Sequence, residues 1–235
     1  TVSVVATVSE AVGTPANFNG GDATDKMSLA YDLAAQKVVV VYSDNSNGGR
    51  GTAVVGTVSG NSISFGSEVV FDTTLSIDYI AIAYDAIAQK IVIAFSIPSN
   101  YYGYAIVGTV SGTSISFGTR VTLHDTGTCA HISTVYDSDA QKVVIAYRDG
   151  GNSSYGTAIV GTVSGTSISF GTAVVFNNGN STRMSAAYDS NAQKVIVSYA
   201  DNSNSSYGEA VVGTVSGTSI SFGSPVVFES ANTAS

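Results

Sequence analysis

The sequence contains no tryptophan, one cysteine and three prolines among its 235 residues. The single Cys129 excludes a disulfide within the chain and a metal site built from cysteines, and we interpret it as a small buried hydrophobic residue. Charged residues make up only 11% of the chain, and 9 basic side chains stand against 17 acidic ones, which gives a net charge of −8. Because no basic stripe is present, we do not expect nucleic-acid binding through phosphates. No apolar run approaches the roughly 18 residues of a membrane helix, so we do not expect membrane insertion.

The chain is instead rich in repeats. Residues 108–118 read GTVSGTSISFG, residues 161–171 and 213–223 read the same, and residues 56–66 differ only at Asn61. A second marker, Tyr-Asp followed by Ala-Gln-Lys, recurs at intervals of 53, 52 and 52 residues, and its tyrosines are Tyr31, Tyr84, Tyr136 and Tyr188. A period near fifty residues is typical of an array of supersecondary units.

Each repeat contains four short segments that favour strands. In the last copy these segments are residues 184–189, 194–200, 209–216 and 220–228, separated by Asp, Asn, Ser and Gly, which favour turns. Four antiparallel strands in about fifty residues predict an all-β fold of the β-propeller class, with one blade per repeat. We name the strands A to D. Small residues in strand A place it nearest the ring axis, and strand B, apolar on both faces, is expected between neighbouring blades. A kink is expected in strand D at residues 223–225.

The number of blades does not follow directly from the repeats. We interpret residues 1–235 as a single propeller domain with full repeats at 21–73, 74–125, 126–177 and 178–230, preceded by a degenerate C–D hairpin at 1–20. Either four blades close the ring and the hairpin caps an edge, or five blades close, with the missing A and B strands supplied from outside the sequence or by another chain. We favour the five-bladed ring, and its incomplete blade offers a route to self-association.

The differences between repeats concentrate at one mouth of the predicted ring. Five residues before the Tyr-Asp tyrosines, at the start of each strand A, stand Lys26, Tyr79, His131 and Arg183. The B–C loops reach the same mouth. Residues in these loops or close to this mouth complete the set, and they are Asp78, Tyr101, Arg148, Tyr155 and Tyr207. We predict that these nine residues form a ligand-binding surface, on which tyrosines stack on sugar rings and polar groups bind hydroxyls. The alternative is that loops simply vary more than the strands they join.

The sequence contains no clear catalytic set and no metal or cofactor site. A glycoside hydrolase needs two placed carboxylates. One aspartate recurs at the same turn position in each repeat and is interpreted as a turn cap; these are Asp32, Asp85, Asp137 and Asp189. Asp25 and Asp78 are the best remaining acids. We interpret His124, His131 and Asp125 as solvent-exposed polar residues rather than metal ligands.

A family resemblance rests on the end of each repeat. Residues 216–219 (SGTS) form the C–D turn, followed by Phe222 and by residues 225–227 (PVV). This layout resembles the blades of sialidase-type propellers, whose repeats carry an Asp-box, although the aspartate and tryptophan of that box are absent from every copy. The resemblance therefore implies the fold and not sialidase activity. That family uses three arginines to hold a carboxylate and a tyrosine–glutamate pair as nucleophile, whereas here only Arg148 and Arg183 could lie near the channel and no tyrosine–glutamate pair can be placed. The repeats are also similar to repetitive β-rich proteins of marine bacteria and their phages, which implies an extracellular or virion-surface location.

These observations predict a non-enzymatic module for binding or display, which recognises glycans or another cell-surface ligand at one mouth of the ring. Two alternatives remain open. The first is a structural spacer or decoration domain of a longer fibre or virion protein, and the second is a glycoside hydrolase.

Overall fold

The computed structural model describes residues 13–21, 23–73 and 76–231. These residues form β-strands that pair antiparallel throughout, together with one short 3-10 helix at Asn45–Asn47. The all-β prediction is confirmed. Within the described ranges, no helix has the length and apolar character needed to cross a membrane.

The strands fall into four units that follow the sequence repeats. Unit 1 contains β1 (Thr24–Asp32), β2 (Lys37–Asp44), β3 (Arg50–Ser59), β4 (Ser62–Phe65) and β5 (Val69–Asp72). Unit 2 contains β6 (Asp78–Asp85), β7 (Lys90–Ser96), β8 (Gly103–Ser111), β9 (Ser114–Phe117) and β10 (Val121–His124). Unit 3 contains β11 (Cys129–Asp137), β12 (Lys142–Asp149), β13 (Tyr155–Ser164), β14 (Ser167–Phe170) and the start of β15 (Val174–Asp189). Unit 4 contains the rest of β15, then β16 (Lys194–Asp201), β17 (Tyr207–Ser216), β18 (Ser219–Phe222) and β19 (Val226–Glu229).

Each unit is a small antiparallel sheet in which strands A, B and C lie side by side and strand D is broken in two. In unit 1, for example, both β4 and β5 pair with β3. The break occurs at a glycine that lies against the C–D turn of the following unit. A Cβ atom on Gly118 would lie 1.9 Å from the carbonyl oxygen of Thr166. The predicted kink in strand D is a full break, and it is also present in unit 4, where no following unit packs on Gly223.

The A–B turns have the same construction in every unit. In unit 3, one carboxylate oxygen of Asp137 accepts hydrogen bonds from the backbone N–H groups of Asp139 and Ala140, at 3.0 and 2.9 Å. Equivalent bonds reach Asp32, Asp85 and Asp189. The glutamine that ends each turn adopts a left-handed conformation, with φ of 55°, 54°, 57° and 56° at Gln36, Gln89, Gln141 and Gln193. The interpretation of the repeated aspartates as turn caps is confirmed.

The hydrophobic core lies between units rather than inside one of them. One cluster joins units 1 and 2 through residues such as Val41, Phe71 and Phe95, and two similar clusters join units 2 to 3 and units 3 to 4. The A strands pack against one another in chain order, β1 on β6, β6 on β11 and β11 on β15. Strand B contributes side chains to both flanking clusters, so its burial on both faces is confirmed.

Two further contacts fasten each unit to the one before it. The first is a crossover residue that directly precedes or begins strand A and lies in the face of the preceding unit. Ile77, Cys129 and Ser181 hold this position with exposed fractions of 4%, 1% and 0%. The second is the Tyr-Asp tyrosine, whose hydroxyl reaches the preceding A–B turn. The hydroxyl of Tyr84 accepts from the N–H of Ala34 at 3.1 Å.

The hairpin predicted at residues 1–20 lies largely outside the described residues. Its described end, residues 13–21, packs on unit 1 as the strand D of one unit packs on the next. The Phe18 ring contacts the rings of Tyr42 and Phe65, with centroid distances of 5.1 and 5.7 Å. Phe71 contacts Phe95 and Phe117 of unit 2 in the same way, at 5.3 and 5.6 Å.

Candidate functional site

Every strand A carries a β-bulge at the end that sequence analysis singled out. The strand register shifts in unit 3 between Ala130 and Ser133, and in units 1, 2 and 4 at the corresponding place. The bulged residue adopts a positive φ of 46°, 35°, 51° and 54° at Lys26, Tyr79, His131 and Arg183. This conformation is costly for residues other than glycine. The bulge turns four variable side chains out of the regular strand alternation at one end of the molecule.

A cavity of about 190 Å³ lies between units 2 and 3 at this end. Asp78 and Tyr79 of strand A, Tyr101 of the B–C loop and Arg148 of the next strand B line it. The rest of its wall comes from Ser96, Ile97, Pro98, Thr128 and Cys129. The structure therefore brings four of the nine predicted residues to one cavity.

The polar groups of this cavity are only partly satisfied by the protein. The Nε atom of Arg148 is buried and has no hydrogen-bond partner among the described residues. Asp78 accepts a hydrogen bond from the backbone N–H of Tyr79 at 3.0 Å. The Tyr101 ring is 58% exposed, and its backbone is left-handed with φ of 65°. A buried donor without an acceptor is costly, and Arg148 carries this cost beside the cavity that it lines.

His131 borders this cavity through the ring of Tyr79, with a centroid distance of 4.8 Å. Burial lowers the pKa of His131 to about 4, and the charges of Arg148 and Arg183 act in the same direction against the opposing effect of Asp78. The imidazole is therefore neutral at pH 7 and presents both a donor and an acceptor.

Lys26 lies at the other side of Asp78. Its Nζ atom is 2.6 Å from Asp25 and 3.9 Å from Asp78. The hydrogen bond with Asp25 raises the pKa of Lys26 and lowers the pKa of Asp25. Asp25, one of the two acids considered for catalysis, is thus an exposed ion-pair partner.

The remaining predicted residues lie apart from the cavity between units 2 and 3. Arg183 lines a separate cavity of about 210 Å³ on the outer face of unit 4, next to Tyr199 and Phe228. Tyr155 and Tyr207 begin β13 and β17 and are half-buried in strand pairing.

The interpretation of His124 as an exposed residue is wrong. His124 is 8% exposed, its ring packs on Tyr147, and its Nε2 atom lies 3.2 Å from Asp149. It is buried because strand β10 ends under the following unit. Among the described residues, no group of three or more His, Cys, Asp or Glu side chains is placed to hold a metal ion.

The loop aspartates also have structural roles. Asp44, Asp149 and Asp201 each cap the B–C loop that follows, and Asp44 does so by accepting from the N–H groups of Ser46 and Asn47 at 3.0 and 3.3 Å. Asp78 is then the one acidic residue in the lining of the cavity between units 2 and 3.

A larger cavity, about 420 Å³, opens at the opposite end between units 2 and 3. Its lining includes Asp85, Lys90, Gln141 and Lys142, which belong to the turn pattern that all four repeats share. Asp85 is already engaged as a turn cap. We therefore place the candidate site at the smaller cavity, where residues specific to one repeat meet.

Sequence reasoning missed the crossover wall of the candidate site. Thr128 and Cys129 come from the connection into unit 3, and Ile97 and Pro98 begin the B–C loop of unit 2. Part of this wall could be found from the sequence, because the B–C loop of unit 2 reads IPSNYYG, whereas the B–C loops of the other repeats begin with aspartate. Burial raises the pKa of the Cys129 thiol far above its ordinary value, so this residue is an unreactive part of the wall.

No protein-family model and no curated protein matches the chain. Among solved structures, the chain is similar to a triple arginine-to-alanine variant of AofleA from Arthrobotrys oligospora, with a TM-score of 0.61 and 8% sequence identity. The match covers 90% of this chain and 59% of that protein, so the chain spans well under two thirds of its length. At this identity the similarity shows a shared β-rich fold alone.

Proposed function

We propose that this protein is a non-enzymatic carbohydrate-binding module of the β-propeller type. The observation that carries the proposal is the cavity between units 2 and 3, where Asp78, Tyr79, Tyr101 and Arg148 meet at the end of the molecule that varies between repeats. Four units that pack face to face in chain order are the arrangement expected of propeller blades. The number of blades in the ring, five in our sequence-based prediction, stays a prediction.

The chemistry of the cavity suits one sugar ring. Its volume of about 190 Å³ lies below the range of drug-sized sites, which favours a terminal monosaccharide over a long chain. The exposed Tyr101 ring offers an apolar face for stacking on the C–H groups of a pyranose. The guanidinium group of Arg148 can donate hydrogen bonds and the Asp78 carboxylate can accept them, a combination that recognises hydroxyl groups.

Two observations support binding over hydrolysis. Glycoside hydrolysis uses a pair of carboxyl groups on opposite sides of the scissile bond, and Asp78 supplies one carboxyl group to the cavity lining. The second acid that sequence analysis considered, Asp25, is held by Lys26 at 2.6 Å.

The structural neighbour adds a point about repeat positions. The solved variant of AofleA lacks three arginines that stand at even intervals, close to the repeat length of the present chain. In the present chain the variable bulge residues recur at the same interval and include Arg183. We propose that the variable bulge position contributes to binding here through Tyr79, which lines the cavity between units 2 and 3. An extracellular or particle-surface location is part of the proposal, since glycans are presented there.

A glycan array followed by calorimetry with the strongest hit tests the proposal. We expect Tyr101→Ala and Arg148→Ala each to weaken binding about tenfold or more, because stacking is lost in one case and a charged donor in the other. Tyr102→Ala and Arg50→Ala are matched controls, since neither side chain lines the cavity. The proposal fails if the array shows no binding, or if the cavity variants bind as well as the controls.

A further inference from the structure

The outer face of unit 4 exposes side chains that the other units bury. Val212 is 48% exposed, whereas Val55, Val107 and Val160 at the same repeat position are 0% exposed. Phe228 is 63% exposed, whereas Phe71 and Phe176 are 8% and 6% exposed. The cause is that units 1 to 3 each have a following unit on this face. Gly223 shows the same difference, because its nearest surrounding atom is 3.9 Å away and belongs to its own unit.

The first strand of unit 1, β1, likewise exposes apolar side chains that the other units bury. Met27, Leu29 and Tyr31 are 57%, 66% and 51% exposed. The same positions of unit 2, Ile80, Ile82 and Tyr84, belong to the core shared with unit 1. Among the described residues, no unit packs on β1 or on the outer face of unit 4 as adjacent units pack on one another.

Residues 13–21 cover part of the open face of unit 1. Phe18 fills the socket formed by Tyr42 and Phe65, and Val40 and Val54 lie in the same small cluster. This cover leaves Met27, Leu29 and Tyr31 exposed. A whole unit, which spans strands A to D, would bury both the socket and these three residues.

Phe18 and Phe228 hold the same position in the repeat. Each is the last apolar residue of strand D, in ANF and VVF respectively. The socket for Phe176 in unit 4 is again an aromatic residue of strand B with a phenylalanine of strand D, Tyr199 and Phe222, at 5.2 and 5.5 Å. The Tyr42 and Phe65 socket therefore has the chemistry to accept Phe228.

We propose that unit 4 of one molecule docks on unit 1 of a second copy of the same chain, with Phe228 replacing Phe18 in the Tyr42–Phe65 socket. The interface continues the packing that already joins the four units within the chain. The contact is head to tail, so each molecule uses one face to dock and offers the other. Such contacts close into a ring or extend into a filament. Residues 13–21 act as a competing cap that limits this association.

The charge of the chain gives the association a salt dependence. Each copy carries a net charge of −8, so two copies repel one another at low ionic strength. Added salt screens this repulsion and leaves the apolar contact in place. Association is therefore expected to strengthen between about 0.02 and 0.5 M NaCl, in contrast to assembly through opposite charges.

Light scattering coupled to size-exclusion chromatography, over a hundredfold range of protein concentration, tests the proposal. Phe18→Ala empties the socket and is expected to lower the concentration needed for association by about tenfold. Phe228→Asp and Leu29→Asp, at opposite faces, are each expected to raise it by at least about tenfold. All three side chains are at the molecular ends, and Phe228 and Leu29 are already exposed, so the fold of the units does not depend on them. Ile87→Asp is the matched control, because Ile87 is 65% exposed in a turn remote from both end faces.

The possible outcomes separate clearly. A discrete dimer or a ladder of larger species that Phe228→Asp and Leu29→Asp both abolish supports the proposal, as does association that appears only in Phe18→Ala. Monomers at every concentration for both the native chain and Phe18→Ala overturn it. Association that survives Phe228→Asp also overturns it, since the contact must then lie elsewhere.

Discussion

At the scale of single residues, His131 shows how the candidate site is tuned. Half-buried beside Tyr79, it has a pKa lowered to about 4 by burial, with Arg148 and Arg183 adding to the effect. Its pKa in the unfolded chain is about 6.5. Because the unfolded chain binds the proton more tightly, His131 destabilises the fold as pH falls from about 6.5 through about 4.

Replacing His131 with asparagine should reduce this acid sensitivity. Asparagine tolerates the left-handed backbone of the bulge and does not titrate. Between pH 7 and pH 4.5 the native chain should lose more unfolding free energy than His131→Asn, by on the order of 1 kcal/mol once solvent screening of this half-buried group is taken into account. Urea unfolding at the two pH values measures the difference. An equal loss in both proteins would show that His131 is not the titrating group.

At the scale of elements, the broken strand D is the feature that fixes the spacing of the units. Gly66, Gly118 and Gly171 each lie where a Cβ atom would come within 2 Å of a carbonyl oxygen in the next unit. Gly223 makes the equivalent backbone hydrogen bond, from its N–H to the carbonyl oxygen of Val212 at 3.0 Å, yet it faces no following unit. The chain therefore contains its own control for the effect of a methyl group at this position.

Gly118→Ala is expected to lower the free energy of unfolding by about 2 kcal/mol or more, because units 2 and 3 must separate to admit the methyl group. Gly223→Ala is expected to change it by no more than about 1 kcal/mol, in the stabilising direction, since alanine restricts the unfolded chain. Chemical denaturation of both variants provides the comparison. Equal effects at the two positions would contradict the close approach between units.

The strand pattern of each repeat could be predicted from sequence, because turn aspartates and β-branched runs recur four times. The bulges could not, since Lys26, Tyr79 and Arg183 are not residue types that favour a left-handed backbone, and His131 alone of the four is enriched there. Their conformation is imposed by the pairing on both sides of the bulge. The repeat pattern predicts that these residues lie at one end of strand A. Whether a bulge residue lines a cavity depends on the side chains of the adjacent unit, which the repeat pattern does not give.

At the scale of the whole molecule, the candidate site lies between two units. The contacts within the site could not be predicted from the sequence, because they depend on how one unit packs on the next. The sequence places Arg148 on the predicted ligand surface, but its proximity to Asp78 and Tyr101 depends on the packing of unit 3 on unit 2. Tyr155 and Tyr207 looked equivalent to Tyr101 in the loops, and strand pairing half-buries both. The burial of His124 was missed for the same reason, because Asp149 and Tyr147 reach it from the neighbouring unit.

The shared cores between adjacent units have a consequence for local opening. Units 2 and 3 each take part in two large clusters, whereas unit 4 takes part in one. In such a linear chain of couplings the unit with one neighbour opens most easily. Amide hydrogen exchange should therefore be fast in β16 and β17 and slower in β7 and β12, and as protein concentration rises it should slow in unit 4 and unit 1 but not in units 2 and 3. Uniform exchange across the units would indicate a single cooperative block. The graded pattern would make the amide protons of unit 4 a direct reporter of whether its outer face is covered.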